Sequence, residues 1–169
     1  PEGINSTSIE LLKKLHVDGI GMGVELAEQK FREEKLKRFS DETKIINAFK
    51  ILKNAKIKRT AYNIIGLPDQ TEESIIETIN FNRIINPDNI TIAFYSPYIG
   101  TTLEKRGKKI SIFDDYEFDV DGQMRSLSKD LKLDVSLLKF YKNNFIRLVK
   151  NKNLKIEDEK DKWLEENPK

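Results

Sequence analysis

Three stretches carry residue types able to bind a small polar ligand, and each follows an apolar run. Glu25 closes "GIGMGVE", Gly66-Leu67-Pro68-Asp69 follows "KRTAYNII", and Tyr95-Ser96-Pro97-Tyr98-Ile99-Gly100-Thr101 follows "NITIAF". A carboxylate at a strand end, facing glycines, accepts hydrogen bonds from ribose hydroxyls or a ligand ammonium. Gly66 lets a flat ring approach the backbone, and Pro68 stiffens the turn that follows. The aromatic Gly-Thr turn at 95–101 can close over an adenine by stacking. Each also has a purely structural reading: a solvated acid, turn punctuation, rim packing. On residue types and spacing alone, both readings stand.

Composition narrows the chemistry. The 169 residues contain no cysteine and one histidine. That removes disulfides, thiolate zinc sites and any iron-sulfur cluster ligated by this chain. His16 ends a helix-like pattern just before Asp18 and Gly19, where a helix C-terminal contact is the expectation. One His without Cys assembles no nucleophile, base and orienter set, so no catalytic residue is assigned. Thirty basic and 28 acidic residues interleave along the chain, for a net charge of +2. That describes a solvated surface, and a nucleic-acid partner is not expected. "KILKNAKIKR" (50–59) reads as the polar side of a helix and its exit. Mean hydropathy is -0.57, and no run reaches the roughly 18 apolar residues of a membrane span. Nothing at the start of the sequence reads as a secretory signal, so the expected address is cytoplasmic.

The elements that must hold the three stretches follow from periodicity. "TSIELLKKLH" (7–16) has helical spacing, with Ile9, Leu12 and His16 on one side and Leu11 and Leu15 beside them. "GIGMGVEL" (19–26) has period two, with Ile20, Met22 and Val24 packed and Gly21, Gly23 and Glu25 on a face open to close approach. Residues 27–36 are charged and helical. Ser40, followed by Asp41 and Glu42, is the expected N-cap of a helix to about Asn54 with Ile45, Phe49 and Leu52 inside. Strand 58–67 follows. Thr71 with Glu72 and Glu73 opens a helix to about Asn86 carrying Ile75, Ile76, Ile79 and Ile84. Pro87 and Asp88 break it, and 89–97 is β-branched and aromatic. Alternating helices and strands of this size imply parallel pairing through right-handed crossovers, hence an α/β sheet. After Thr101 the periodicity breaks up, and 103–126 reads as a long connection with room for one short strand. Asp134 caps a last helix with Val135, Leu138, Tyr141, Phe145 and Leu148 at helical spacing. The charged tail from Asn151 is expected to fray or dock weakly through Trp163 and Leu164.

The ordered set Gly23-Val24-Glu25, Leu36-Lys37-Arg38, Gly66-Leu67-Pro68, Thr71-Glu72-Glu73, Pro87-Asp88 and Pro97-Tyr98-Ile99-Gly100-Thr101 resembles the second half of a radical S-adenosylmethionine (radical SAM) enzyme barrel. The resemblance is greatest to the cobalamin-binding-domain-containing and coproporphyrinogen-dehydrogenase-like branches. It covers roughly residues 9–103, and "DLKLDVSLLKFYKNNFIRLVKNK" resembles, more loosely, the helical extension after the barrel in the same proteins. By resemblance, Glu25 holds the ribose hydroxyls or the methionyl ammonium of S-adenosylmethionine. Arg38 holds the methionyl carboxylate or a substrate carboxylate, Ile64 and Gly66 flank the adenine, and Tyr95 and Tyr98 wall the pocket. The related motif on the second strand often starts with Gly and ends with Glu, where this chain has Tyr62 and Asp69.

The family's cluster-binding cysteine triplet is absent, so the chain alone is expected to be inactive in 5'-deoxyadenosyl radical chemistry. Together with a start at Pro1, this fits the C-terminal portion of a longer enzyme. The upstream part of that enzyme would supply the cysteines of a 4Fe-4S cluster and half the barrel, and the resemblance is compatible with a cobalamin domain there as well. The alternative is a cluster-less nucleotide- or RNA-binding scaffold module; an unrelated α/β domain is a third reading. The expected fold is a parallel β/α half (residues 1–102) of a partial TIM-type barrel. An irregular connection, a helical C-terminal extension and a charged tail make up residues 103–169. Exposed strand edges imply self-association of the isolated piece. Expected partners are S-adenosylmethionine, an unidentified substrate and the upstream half of the same polypeptide, with no membrane.

Overall fold

The computed structural model describes residues 1–95 and 133–167. The elements are α1 (Ser6–Lys14), β1 (Gly19–Glu25), α2 (Gln29–Lys35), α3 (Glu42–Asn54), β2 (Lys58–Ile65), α4 (Glu72–Ile85), β3 (Asn89–Phe94), α5 (Val135–Lys150) and α6 (Ile156–Glu166). The strands form a parallel sheet in the order β1-β2-β3. This is a mixed α/β fold, consistent with a partial β/α barrel carrying a helical extension.

Helix starts follow local capping chemistry. Asn5 and Ser8 make a capping box at α1, the Thr71 hydroxyl accepts from the Ser74 N–H at α4, and Asp134 accepts from Ser136 at α5. At α3 the cap is Asp41, not Ser40: the Asp41 carboxylate accepts from the Lys44 N–H (2.7 Å). Both residues suit the position, and the Ser40 hydroxyl bonds Glu2 instead. His16 lies past the helix end, exposed, with a φ of 52°.

The sheet has two unlike faces. Met22, Val24, Ala61, Ile65, Ile90 and Ile92 are buried under the helices. Their other-face neighbours Gly21, Gly23, Tyr62, Thr91 and Ala93 are exposed. One core joins α1, α3 and the sheet around Ile9, Ile45, Phe49 and Leu52. Phe81 and Ile85 of α4 enter this core, whereas Ile84 is exposed. Ile75 and Ile79 are buried as the spacing predicts, and only at the end of the helix does Ile85 take the inner place expected of Ile84. A second core sets Leu138, Tyr141, Phe145 and Leu148 of α5 against Ile75 and Ile79 of α4 and Ile90 and Ile92 of β3. Val135 faces solvent.

Among the described residues, the C-terminal tail folds into a docked helix. Residues 156–166 are helical, and the Trp163 ring stands 6.2 Å from Phe140. Lys160 Nζ and the Tyr141 hydroxyl both donate to Glu72 Oε1, at 2.8 and 2.7 Å. One carboxylate at the start of α4 therefore clamps α5 and α6. Burial, reinforced by Glu72, pushes the Tyr141 phenol well above its ordinary pKa.

Arg59, in the basic cluster read as a polar face, is instead buried. Its Nε and Nη2 donate to the two Asp88 oxygens at 2.9 and 3.0 Å, while the Arg59 N–H also donates to Asp88 (2.8 Å). Pro87-Asp88 thus ties the start of β3 to the start of β2. These bonds from Arg59 hold the Asp88 carboxyl below its usual range. A depressed folded pKa stabilises above the unfolded value and is lost as pH falls through the folded one. Asp88→Asn should accordingly lower stability at neutral pH and flatten the acid limb below about pH 4, read by urea melts across pH. An unchanged acid limb would contradict this role.

Candidate functional site

The site is built from the carboxyl end of β1 and the chain between α2 and α3. The register of β1 on β2 shifts between Gly23, opposite Tyr62, and Glu25, opposite Asn63, which leaves Val24 as the extra residue of a bulge. Glu25 follows with a φ of 64°, a left-handed backbone that costs a non-glycine residue about 1–3 kcal/mol. Its side chain folds back over the strand, so that a Cβ on Gly23 would stand 2.4 Å from Glu25 Oε1. A Cβ on Gly21 would stand 2.3 Å from the Tyr62 ring. The Tyr62 and Glu25 side chains thus lie close against Gly21 and Gly23, on a face that otherwise stays exposed.

Arg38 reaches the same place from the far side. Its Nη2 is 3.9 Å from Glu25 Oε1, with Glu25 13% exposed and Arg38 67% exposed. Gly23, Glu25, Tyr62, Arg32, Arg38 and Ser40 are among the walls of one cleft of about 480 Å³. Burial pushes the Glu25 carboxyl up from its ordinary pKa, against the opposing pull of Arg38. Among the described residues no hydrogen bond is made to this carboxylate, only the long ion pair. A sheltered carboxylate with vacant lone pairs can accept from hydroxyl or ammonium donors.

The other two strand ends meet beside this cleft. Leu26 after β1, Leu67 after β2 and Tyr95 after β3 pack with Phe31, and Ile64 lies against them. Gly66 has a φ of 78° and is buried, a conformation that favours glycine. Its N–H donates to Gln70 Oε1 (2.8 Å), and the Leu67 N–H reaches the same oxygen at 3.3 Å. Lys35 pairs with Asp69 at 3.3 Å, linking this turn to α2. The structure thus brings Glu25 and Arg38 together in one cleft. It places Ile64, Gly66 and Tyr95 in the adjoining ends of β2 and β3, off the cleft wall. Tyr98 lies outside the described residues.

Two residues here escape the sequence reading. Gln70 is 1% exposed and braces the Gly-Leu-Pro turn through its side-chain oxygen. Arg32, also 1% exposed, donates from Nη1 to the carbonyls of Leu26 (2.7 Å) and Ala27, and from Nη2 to Ser40 O (3.0 Å). Burial lowers its pKa, with Glu42, Glu33 and Asp41 opposing at a distance. A polar residue two past Pro68 is a weak signal for the brace. Nothing in "QKFREEKLKR" marks one cation of several as buried.

Among the described residues there is no group of three or more His, Cys, Asp or Glu able to hold a metal ion. No helix among them is long and apolar enough to cross a membrane.

Residues 3–81 match the family model described as Radical SAM superfamily. Over 110 residues the chain is 32% identical to an anaerobic magnesium-protoporphyrin IX monomethyl ester cyclase from Rubrivivax gelatinosus. The match takes in 63% of this chain and 19% of that protein, so the chain spans about a fifth of that relative's length.

Proposed function

We propose that this chain is the part of a radical SAM enzyme that positions S-adenosylmethionine and substrate. The observation that carries the reading is the half-buried Glu25 carboxylate, without a hydrogen-bond donor among the described residues, 3.9 Å from Arg38 at a parallel strand's carboxyl end. In β/α barrels ligands lie at that end. Glu25 accepts hydrogen bonds from the ribose hydroxyls or the methionyl ammonium, and Arg38 takes a carboxylate of the cofactor or substrate. By the resemblance the adenine extends beyond this cleft toward Ile64 and Gly66 at the end of β2 and Tyr95 after β3, and Tyr98 is assigned to the same side. The bound cofactor supplies hydrogen-atom abstraction once it is reductively cleaved; this chain's residues bind and orient.

With no cysteine in the chain, its residues do not fit a 4Fe-4S cluster, whose ligands we assign to the upstream half of the same polypeptide. The sheet itself supports that assignment. Parallel sheets are ordinarily covered on both faces, yet Gly21, Gly23, Thr91 and Ala93 are exposed, and β1 and β3 are edges among the described residues. Further strands would continue the sheet and enclose the glycine face. Separated from them, the chain is inactive in radical chemistry and prone to self-associate. The resemblance extends the proposal to a cobalamin domain in the full-length protein.

The test is anaerobic incubation of the full-length protein with S-adenosylmethionine and a reductant. A tetrapyrrole belongs among the substrates tried, given the name of the relative. Formation of 5'-deoxyadenosine is expected. A full-length protein that carries no cluster and makes none would favour a binding module instead.

A further inference from the structure

We propose that Arg32 is the positioning residue that holds Glu25 and Arg38 in register with each other, an inference that rests on the cofactor-site reading above. Glu25 ends β1 and Arg38 lies in the loop between α2 and α3, and Arg32 touches the main chain that follows each. Its side chain donates to the carbonyls of Leu26 and Ala27, the two residues after Glu25, and to that of Ser40, two residues after Arg38. Its own carbonyl accepts the Arg38 N–H at 2.9 Å and the Leu36 N–H at 3.1 Å. Lys37, with a φ of 55°, makes the turn that lets Arg38 reach back.

Stability alone does not call for this arrangement. A buried guanidinium is costly to desolvate, and among the described residues the hydrogen bonds that Arg32 donates go to main-chain carbonyls, with no carboxylate among them. Its Nε is buried with no partner among the described residues, a further cost. An apolar side chain would fill the volume without those costs, but it would leave the two loops untied. The left-handed backbone at Glu25 depends on how the following peptide groups are held; Arg32 holds their carbonyls, while the Ala27 N–H donates to Thr78 Oγ1 at 3.0 Å. Lysine keeps the charge, but its three donors sit on one nitrogen and do not span the acceptors that Arg32 reaches from Nη1 on one side and Nη2 on the other.

A double-mutant cycle on the full-length protein tests this, with S-adenosylhomocysteine as the titrated probe. Arg32→Lys should weaken binding about tenfold when Glu25 is present and less than about twofold in a Glu25→Gln background, because its effect passes through Glu25. Arg32→Gln should show the same non-additivity. Equal losses in both backgrounds would overturn the positioning role while leaving the cofactor site intact. If Glu25→Gln alone leaves binding unchanged, the cofactor-site reading fails, and the role of Arg32 with it. Thermal unfolding of each variant is measured first. Loss of the folded state in both Arg32 variants would also overturn the proposal, since Arg32 would then be a determinant of the whole domain.

Discussion

Glu25→Gln in the full-length protein should raise KM for S-adenosylmethionine about 10- to 100-fold, the worth of hydrogen bonds to a charged acceptor. The fold should not suffer. Burial holds the carboxyl above its ordinary pKa, so the folded state binds a proton more readily than the unfolded chain does. Stability from this group is present at low pH and is lost as pH rises from the unfolded pKa through the folded one. At neutral pH the ionised carboxylate is therefore a net cost, which the neutral amide removes. The expected signature is a variant that binds cofactor worse and unfolds no earlier, with a flatter stability profile on the acid side of neutrality. Glu28→Gln, three residues along on the exposed surface, should change neither quantity. A destabilised Glu25→Gln with unaltered KM would mean that the carboxylate serves the fold.

The second large effect lies in the extension. Phe145 is fully buried in the core shared by α5, α4 and β3. Phe145→Ala should cost about 3–5 kcal/mol, the transfer energy of the ring plus the cavity it leaves. For a chain of this size that lowers Tm by on the order of 10 °C. Because Glu72 is bonded by Tyr141 of α5 and Lys160 of α6, the loss should reach α4 and the turn ahead of it. A single cooperative transition at the lower temperature is expected by circular dichroism. Val135→Ala, on the exposed side of the same helix, should shift Tm little. Two separate transitions, with the sheet melting at its original temperature, would show the extension to be an independent unit.

Much of this was legible from residue types. The order of helices and strands follows from period and caps: Thr71 and Asp134 cap as their spacing demands, and Phe49 and Leu52 point inward on an amphipathic stripe. The three strand ends could be expected to converge because parallel crossovers leave them no alternative. What stayed hidden depends on three-dimensional competition. Ser40 and Asp41 are equally good caps by type, and the position of Glu2 draws the serine away. Arg32 and Arg59 look like surface cations in charged runs, but each finds buried acceptors supplied by distant residues. The tail from Asn151 is too polar to predict a docked helix, yet Trp163 against Phe140 and Lys160 on Glu72 secure it. At the site, Glu25 was visible as a strand-end acid. Its bulge and left-handed backbone were not, since they arise from the pairing of β1 with β2.

The central claim is that the cleft between the end of β1 and the loop carrying Arg38 receives S-adenosylmethionine. A crystal structure of the full-length protein with S-adenosylmethionine bound tests it most directly. The ribose hydroxyls or the methionyl ammonium should lie within about 3.2 Å of the Glu25 carboxylate, with a carboxylate at Arg38. Cofactor bound elsewhere, with Glu25 still facing Arg38 alone, would contradict the account.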